Sequence, residues 1–133
     1  MKILFLCVAN SARSQMAEGL ARQLLGTKAE VYSAGSRPSG KVHRFALQAL
    51  EELGIETASL YSKGMEEIDM ESMDYVITLC AEEICPVYLG KAQKLHWPIQ
   101  DPAAFIGSLE GQMNAFRKAR DQIRDQLVSF FKA

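Results

Sequence analysis

Short runs of apolar residues alternate with helix-like patterns along this chain. Residues 2–7 (KILFLC) form a run rich in Ile, Leu and Phe, which is typical of a strand buried on both faces of a parallel sheet. Residues 29–35 (AEVYSAG) and 74–80 (DYVITLC) predict two more strands, and 94–99 (KLHWPI) predicts a short one.

Apolar residues at helical spacing occupy the stretches around these strands. After the first strand they recur until Gly26, with Ser14 as a cap or first-turn residue. Residues 41–54 predict a second helix that ends in glycine, and 109–132 predict a long amphipathic C-terminal helix. Strands that alternate with helices indicate a parallel α/β sheet. Because no internal repeat or linker interrupts the pattern, we expect a single domain over 1–133.

Three reactive side chains stand where predicted strands end. Cys7 and Cys80 close two of the apolar runs, and Asp101 follows the last strand. In open parallel sheets, ligands bind outside the carboxyl ends of the strands. We therefore expect these three residues to share one site at that edge.

Composition and charge narrow the classes of function. The chain has 133 residues, 48% of them hydrophobic, which is enough for a sizeable core. A net charge of −1 does not favour nucleic acid or a membrane surface as a partner. The first residues lack a signal-peptide pattern, which predicts a cytoplasmic protein, and no heptad pattern demands an oligomer, so we expect a monomer. Three cysteines argue against a secreted disulfide framework and leave reactive thiols, a metal site or plain burial.

The segment CVANSARS, residues 7–14, has the spacing of an oxyanion site. Its five middle residues can wrap main-chain N–H groups around one tetrahedral anion, and the following helix dipole assists. Arg13 can bind two oxygens of that anion with its planar guanidinium. The same field favours a thiolate at Cys7, so the loop would bind an oxyanion and aim a nucleophile at it. The five middle residues are Val8, Ala9, Asn10, Ser11 and Ala12.

The residues alone leave this loop one structural alternative. A cysteine at a buried strand end with a surface arginine nearby could give the same spacing by chance. The strand before the loop and the helix after it favour the oxyanion site. A nucleotide-binding P-loop is excluded, because the Gly-Lys-Ser/Thr ending is missing.

The stretch CVANSARSQMAEG resembles the signature of the low-molecular-weight protein tyrosine phosphatase superfamily, in particular its thioredoxin-coupled arsenate reductase branch. The resemblance extends through VYSAG, VITLC, CP, HW and DPA, and so covers nearly the whole chain. It implies a four-stranded parallel sheet flanked by helices. It also implies Cys7 as nucleophile, Arg13 and the loop amides as oxyanion binders, and Asp101 as general acid. Asn10 would shape the loop, and the Ser14 hydroxyl would support the thiolate.

The loop departs from the superfamily pattern at two positions. The superfamily usually has Gly where Ala9 stands and Cys where Ala12 stands. Gly tolerates a positive φ that Ala adopts poorly, so the change at position 9 bears on the backbone conformation of the loop.

Two further cysteines bear on the type of reaction. A phosphatase needs no thiol besides its nucleophile, whereas reduction of arsenate to arsenite takes two electrons, which thiols supply by forming a disulfide. Residues 79–86 (LCAEEICP) contain Cys80 and Cys85, which could also be structural cysteines near the core. The resemblance implies that Cys80 attacks the arsenic adduct of Cys7 and that Cys85 then takes over the disulfide. Thioredoxin or a glutaredoxin-like reductant would reset the pair, and no bound cofactor is implied.

The residues after the predicted acid bear on the substrate. Phosphatases of this superfamily tend to have an aromatic residue directly after Asp-Pro, whereas Ala103 and Ala104 stand here. Small side chains fit an inorganic anion better than a phosphotyrosine. Together with the resemblance, this implies an arsenate reductase for arsenic detoxification. A low-molecular-weight tyrosine phosphatase is the alternative, and a non-catalytic oxyanion or arsenite binder is a further one.

Geometry adds an expectation for the segment between the second and third cysteines. Five residues of ideal helix rise about 7.5 Å, whereas a disulfide needs Cα atoms within roughly 6.8 Å. An intact helix over 80–85 therefore cannot hold the disulfide. We expect the segment to unwind or loop when the cysteines are oxidised.

The other polar residues receive structural interpretations. His43 is expected to be a solvated helix residue, while His96 and Trp97 are expected to pack in the core or position the Asp101 loop. Residues 65–74 (MEEIDMESMD) predict a solvated acidic face or short helix. No close pair of ligands with finger-type spacing supports a zinc site, so no metal is expected.

Overall fold

Four parallel strands form one sheet in the computed structural model, which describes residues 1–81, 84–88 and 90–133. The strands lie in the spatial order β2-β1-β3-β4, and all three pairings are parallel. The predicted α/β class with a four-stranded parallel sheet is therefore confirmed. The strands are β1 (Lys2–Cys7), β2 (Glu30–Gly35), β3 (Tyr75–Thr78) and β4 (Gln93–His96).

The helices are α1 (Arg13–Leu25), α2 (Arg44–Glu51) and α3 (Leu109–Phe131). The helix α2 is shorter than the predicted 41–54, because the backbone at residue 43 is extended and caps the helix. No helix in the described part of the chain is long and apolar enough to cross a membrane.

The apolar run of β1 divides between the two faces of the sheet. Ile3 and Phe5 are buried in the larger core cluster with the apolar sides of all three helices. Leu4 and Leu6 are buried on the other face, where the segment 65–73 packs instead of an α-helix. Because both faces are covered, β1 is buried almost throughout, as its apolar pattern predicts.

The acidic segment 65–74 is confirmed as short helices with solvated carboxylates. It contains the 3₁₀ helices Met65–Glu67 and Met70–Ser72, and all of its acidic residues are exposed. Its apolar residues pack against the smaller core cluster, a role that the acidic pattern conceals. These residues are Met65, Ile68, Met70 and Met73.

Gly35, at the end of β2, lies against the loop that follows β1. A Cβ atom at this position would overlap the Val8 carbonyl oxygen and lie 3.0 Å from the Asn10 nitrogen. Both contacts are with main-chain atoms, which cannot swing aside as a side chain can. The absence of a side chain at Gly35 therefore allows the loop to approach β2.

We predict that Gly35→Ala destabilises the protein by about 1–3 kcal/mol, because the added methyl forces the backbone apart. Equilibrium unfolding in urea measures this, with Ser36→Ala, a change at the exposed neighbouring residue, as the control. Equal free energies of unfolding for Gly35→Ala and the control would show that the close approach is unimportant.

Candidate active site

Residues 8–12 form the loop between β1 and α1, and three of its carbonyl groups are held from outside by the segment 37–43. In a planar trans peptide the N–H group points opposite to the carbonyl. The N–H groups of the same peptide units therefore point away from the segment 37–43, as an oxyanion loop requires. The hydrogen bonds run from Arg37 N to Val8 O (2.9 Å), from Ser39 N to Ala9 O (3.0 Å) and from His43 N to Ser11 O (2.8 Å).

Asn10 takes the left-handed conformation within this loop, with φ 49°. Ala9 does not have a positive φ, so the glycine usual at position 9 is not required here. The Asn10 side chain donates from Nδ2 to Ser14 Oγ (2.8 Å) and Ser33 Oγ (3.0 Å). Its Oδ1 accepts from the main-chain nitrogen of Lys63 at 2.9 Å. These buried bonds hold the loop in its left-handed turn.

The Cys7 thiol lies at the start of the loop and is only 2% exposed. Its Sγ is 2.8 Å from Ser14 Oγ. Because that hydroxyl oxygen already accepts from Asn10, the hydroxyl proton is available to donate to the sulfur. Donation to sulfur stabilises the thiolate, the form that acts as a nucleophile.

The hydrogen-bonded chain continues from the loop to a buried carboxylate. Ser33 Oγ donates to Glu18 Oε1 at 2.5 Å, and Glu18 is 1% exposed. Two cations compensate this charge, with Arg22 Nη2 at 2.6 Å from Oε2 and Lys63 Nζ at 3.7 Å from Oε1. Burial lowers the pKa of the Lys63 ammonium, while the Glu18 carboxylate acts in the opposite direction. We call Ser14, Asn10, Ser33, Glu18 and Lys63 the buried network.

Three members of the buried network were not singled out from the sequence: Ser33, Glu18 and Lys63. A usable signal was the spacing of Ser14, Glu18 and Arg22, which puts all three on one side of α1. Ser33 and Lys63 come from distant parts of the chain, and no periodic pattern links them to the loop.

Arg13 begins α1 and connects the loop to the ends of β3 and β4. Its Nη1 donates to the Ile99 carbonyl at 3.0 Å and lies 3.5 Å from the Leu79 carbonyl. Its Nη2 lies 4.0 Å from Asp101 Oδ2. Asp101 is fixed in turn, because its Oδ1 caps the 3₁₀ helix Pro102–Ala104 by accepting from the Ala103 N–H at 3.0 Å. The structure thus brings Arg13 and Asp101 together at the carboxyl edge of the sheet.

Cys80 and Cys85 form a disulfide, with their Cα atoms 5.6 Å apart, and Cys7 is free. Cys80 directly follows Leu79, whose carbonyl Arg13 approaches. The described residues 81 and 84–88 are not helical. Residues 82 and 83, which belong to the predicted helix-to-loop change, lie outside the described residues, so that change stays a prediction.

His43 is not the solvated helix residue that the sequence suggested. It precedes α2 as its N-cap, and its Nδ1 accepts from the Phe45 N–H at 3.1 Å. Its ring packs on Phe116 of α3, with ring centroids 4.6 Å apart. The amphipathic pattern locates the helix but does not show that its first residue borders the loop.

His96, the last residue of β4, does not pack in the core: it is exposed, and its Nδ1 lies 2.7 Å from Thr78 Oγ1. Trp97, directly after β4, is buried as expected and packs against Phe130. Among the described residues, no group of three or more His, Cys, Asp or Glu side chains is placed to hold a metal ion.

Known proteins are similar to this chain in sequence and in fold. The arsenate reductase of Halalkalibacterium halodurans is 38% identical over 130 residues, which is 96% of this chain and 93% of the relative. An arsenate reductase solved in a phosphate-binding state matches with a TM-score of 0.80 and 34% identity, over 98% of this chain and 96% of that one. A thioredoxin-dependent arsenate reductase of Corynebacterium glutamicum matches with a TM-score of 0.71 and 31% identity, over 96% of this chain and 60% of that one.

The match to a sequence family is equally extensive. The profile of the low molecular weight phosphotyrosine protein phosphatase family matches residues 2–133. That range includes the loop, the disulfide and Asp101. The chain therefore belongs to the low molecular weight phosphotyrosine protein phosphatase family.

Proposed function

We infer that this chain reduces arsenate to arsenite, with Cys7 as the nucleophile and a thiol-disulfide cascade as the source of electrons. The observation that carries this inference is the Cys80–Cys85 disulfide, formed directly beyond a residue that Arg13 contacts. The relatives named arsenate reductase, which match almost the full length, support the same reaction. A fold that needed only to hydrolyse a phosphoester would have no use for this pair of thiols.

The first step is attack on a bound oxyanion. Arsenate is held by the main-chain N–H groups of residues 8–14 and by the Arg13 guanidinium. The Cys7 thiolate attacks arsenic, and a hydroxyl leaves as water after Asp101 donates a proton to it. Because Asp101 lies near Arg13, the acid and the oxyanion binder can act on the same substrate.

The second step transfers the electrons. The Cys80 thiolate attacks the sulfur of the Cys7 adduct, so that the sulfur–arsenic bond breaks and arsenic keeps its electron pair. Arsenic is thereby reduced from As(V) to As(III) and leaves as arsenite, while Cys7 and Cys80 form a disulfide. Cys85 then attacks Cys80, which frees Cys7 and gives the disulfide that the structure contains.

An external dithiol must reduce this disulfide before the next turnover. Cys80 is 1% exposed, whereas Cys85 is partly exposed and lies beside the bare side chains of Ile84 (92% exposed) and Val87 (73% exposed). These apolar side chains offer contact area to a protein reductant such as thioredoxin or a glutaredoxin-like protein. We therefore propose that the reductant attacks the sulfur of Cys85.

We propose a cytoplasmic location, because the cascade needs a reducing compartment.

The alternative functions fit these observations less well. A tyrosine phosphatase would use the same loop, but Ala103 and Ala104 leave no aromatic wall directly after Asp101-Pro102. A non-catalytic oxyanion binder has no need of a carboxyl group held near Arg13.

We propose a monomer that holds no resident cofactor and binds neither nucleic acid nor membrane.

The function is tested by a single turnover of reduced protein with arsenate and no added reductant. We expect about one arsenite released and about two thiols lost per protein molecule, because one disulfide supplies two electrons. Cys80→Ser should abolish arsenite release. Cys85→Ser is the matched control, since the first disulfide can still form. If no arsenite appears, but Cys7-dependent hydrolysis of an aryl phosphate does, the protein is a phosphatase.

The site of reductant attack is tested with thioredoxin whose second active-site cysteine is replaced by serine. Mixed with the oxidised protein, it should become trapped in a mixed disulfide with Cys85, because Cys80 is buried. Peptide mass spectrometry identifies the linked cysteine. A mixed disulfide at Cys80 would show that burial does not direct the attack.

A further inference from the structure

We propose that His43 is a positioning residue of the oxyanion loop, residues 8–12. Its neutral imidazole caps α2, and this cap keeps the main-chain N–H of His43 hydrogen-bonded to the Ser11 carbonyl. The inference rests on the proposed function, because it concerns the same loop. It assigns the loop a support that lies outside the buried network and is sensitive to pH.

Three contacts place His43 between the loop and two helices. Its main-chain N–H donates to Ser11 O at 2.8 Å. Its Nδ1 accepts from the Phe45 N–H, one of the orphan donors at the start of α2. Its ring lies against Phe116 of α3, which restricts the direction of the imidazole. One residue therefore contacts the loop, α2 and α3 together.

The cap requires the neutral form of the imidazole. A nitrogen that accepts a hydrogen bond carries no proton, so the neutral ring is protonated at Nε2. Two charged groups act on the ring, Arg44 in α2 and Asp101 before the 3₁₀ helix. Burial and then Arg44 lower the pKa of His43 from its ordinary 6.5, and Asp101 opposes them.

Protonation converts the acceptor of the cap into a donor. A protonated Nδ1 has no lone pair with which to accept from the Phe45 N–H. The side chain would therefore have to leave its position. The backbone of residue 43, extended at φ −64° and ψ 132°, would then lose its side-chain cap and keep the hydrogen bonds that its carbonyl accepts from Ala46 N and Leu47 N. Because the folded pKa is depressed, the stabilisation is present above pH 6.5 and is lost as the pH falls through the folded value. The main-chain N–H that donates to the Ser11 carbonyl is then held less firmly.

The test measures sulfate binding, because sulfate is a tetrahedral dianion that does not titrate in this range and cannot be reduced by these thiols. Sulfate protection of Cys7 against alkylation gives a dissociation constant for the reduced protein at each pH. The variants are His43→Asn, which supplies a strong N-cap that does not titrate, and His43→Ala, which supplies none. Thermal unfolding of each variant checks that it is folded.

We expect His43→Ala to weaken sulfate binding about threefold to tenfold at neutral pH, the equivalent of one helix cap. His43→Asn should bind sulfate as the wild type does at neutral pH. As the pH falls through the folded pKa of His43, which burial holds below 6.5, the wild type should lose several-fold more affinity than His43→Asn, because only the wild type loses its cap on protonation.

Two results would overturn the proposal. One is equal sulfate affinity of His43→Ala and wild type at neutral pH, even if the variant unfolds at a lower temperature. The other is a loss of affinity on acidification that is as large in His43→Asn as in the wild type. Sulfate binding as expected, together with no arsenite release in the single turnover, would instead reject the reductase function and leave this role of His43 intact.

Discussion

The site depends on a short loop whose main-chain N–H groups point toward one position. Such a loop keeps this conformation only when the rest of the protein supports it. Here the carbonyls of the loop are fixed from outside by the segment 37–43. The left-handed turn at Asn10 is fixed from inside by four hydrogen bonds of its side chain, the three described above and one that its Oδ1 accepts from Gln15 Nε2 at 2.9 Å. Together these constraints select one conformation before any anion arrives, which is the condition for strong electrostatic stabilisation of a reacting oxyanion.

The buried network explains why this loop is stable although so many polar groups lie inside the protein. Each buried polar group costs free energy unless it is paired, and the cost is largest for a charge such as Glu18. Ser33, Arg22 and Lys63 supply the partners that this carboxylate needs. Removing one of these partners would weaken the compensation of a buried charge, so the network connects the conformation of the loop to β2 and to the segment at residue 63. The cysteine pair follows β3, on the other side of β1 from β2 and its Ser33.

Local sequence patterns predicted the parts of the structure that depend on residues close together in the chain. The apolar runs identified all four strands, and helical spacing together with Gly26 identified α1. These signals differ because a strand buried on both faces gives a continuous apolar run, whereas a helix buried on one face repeats its apolar residues at helical spacing. The loop was visible because its residues are consecutive. Contacts between distant residues were not visible: Lys63 meets Glu18 across 45 positions of sequence, and nothing near either residue shows it. His43 was misjudged for the same reason, since its partners Ser11 and Phe116 come from other elements.

The most direct test of this account is a crystal structure of the reduced protein with sulfate in place of arsenate. The account predicts sulfate oxygens within hydrogen-bonding distance of the main-chain N–H groups of residues 8–14 and of the Arg13 guanidinium, with the sulfur atom facing Cys7 Sγ. A sulfate bound elsewhere, with the Val8 or Ser11 carbonyl turned into the loop, would contradict it.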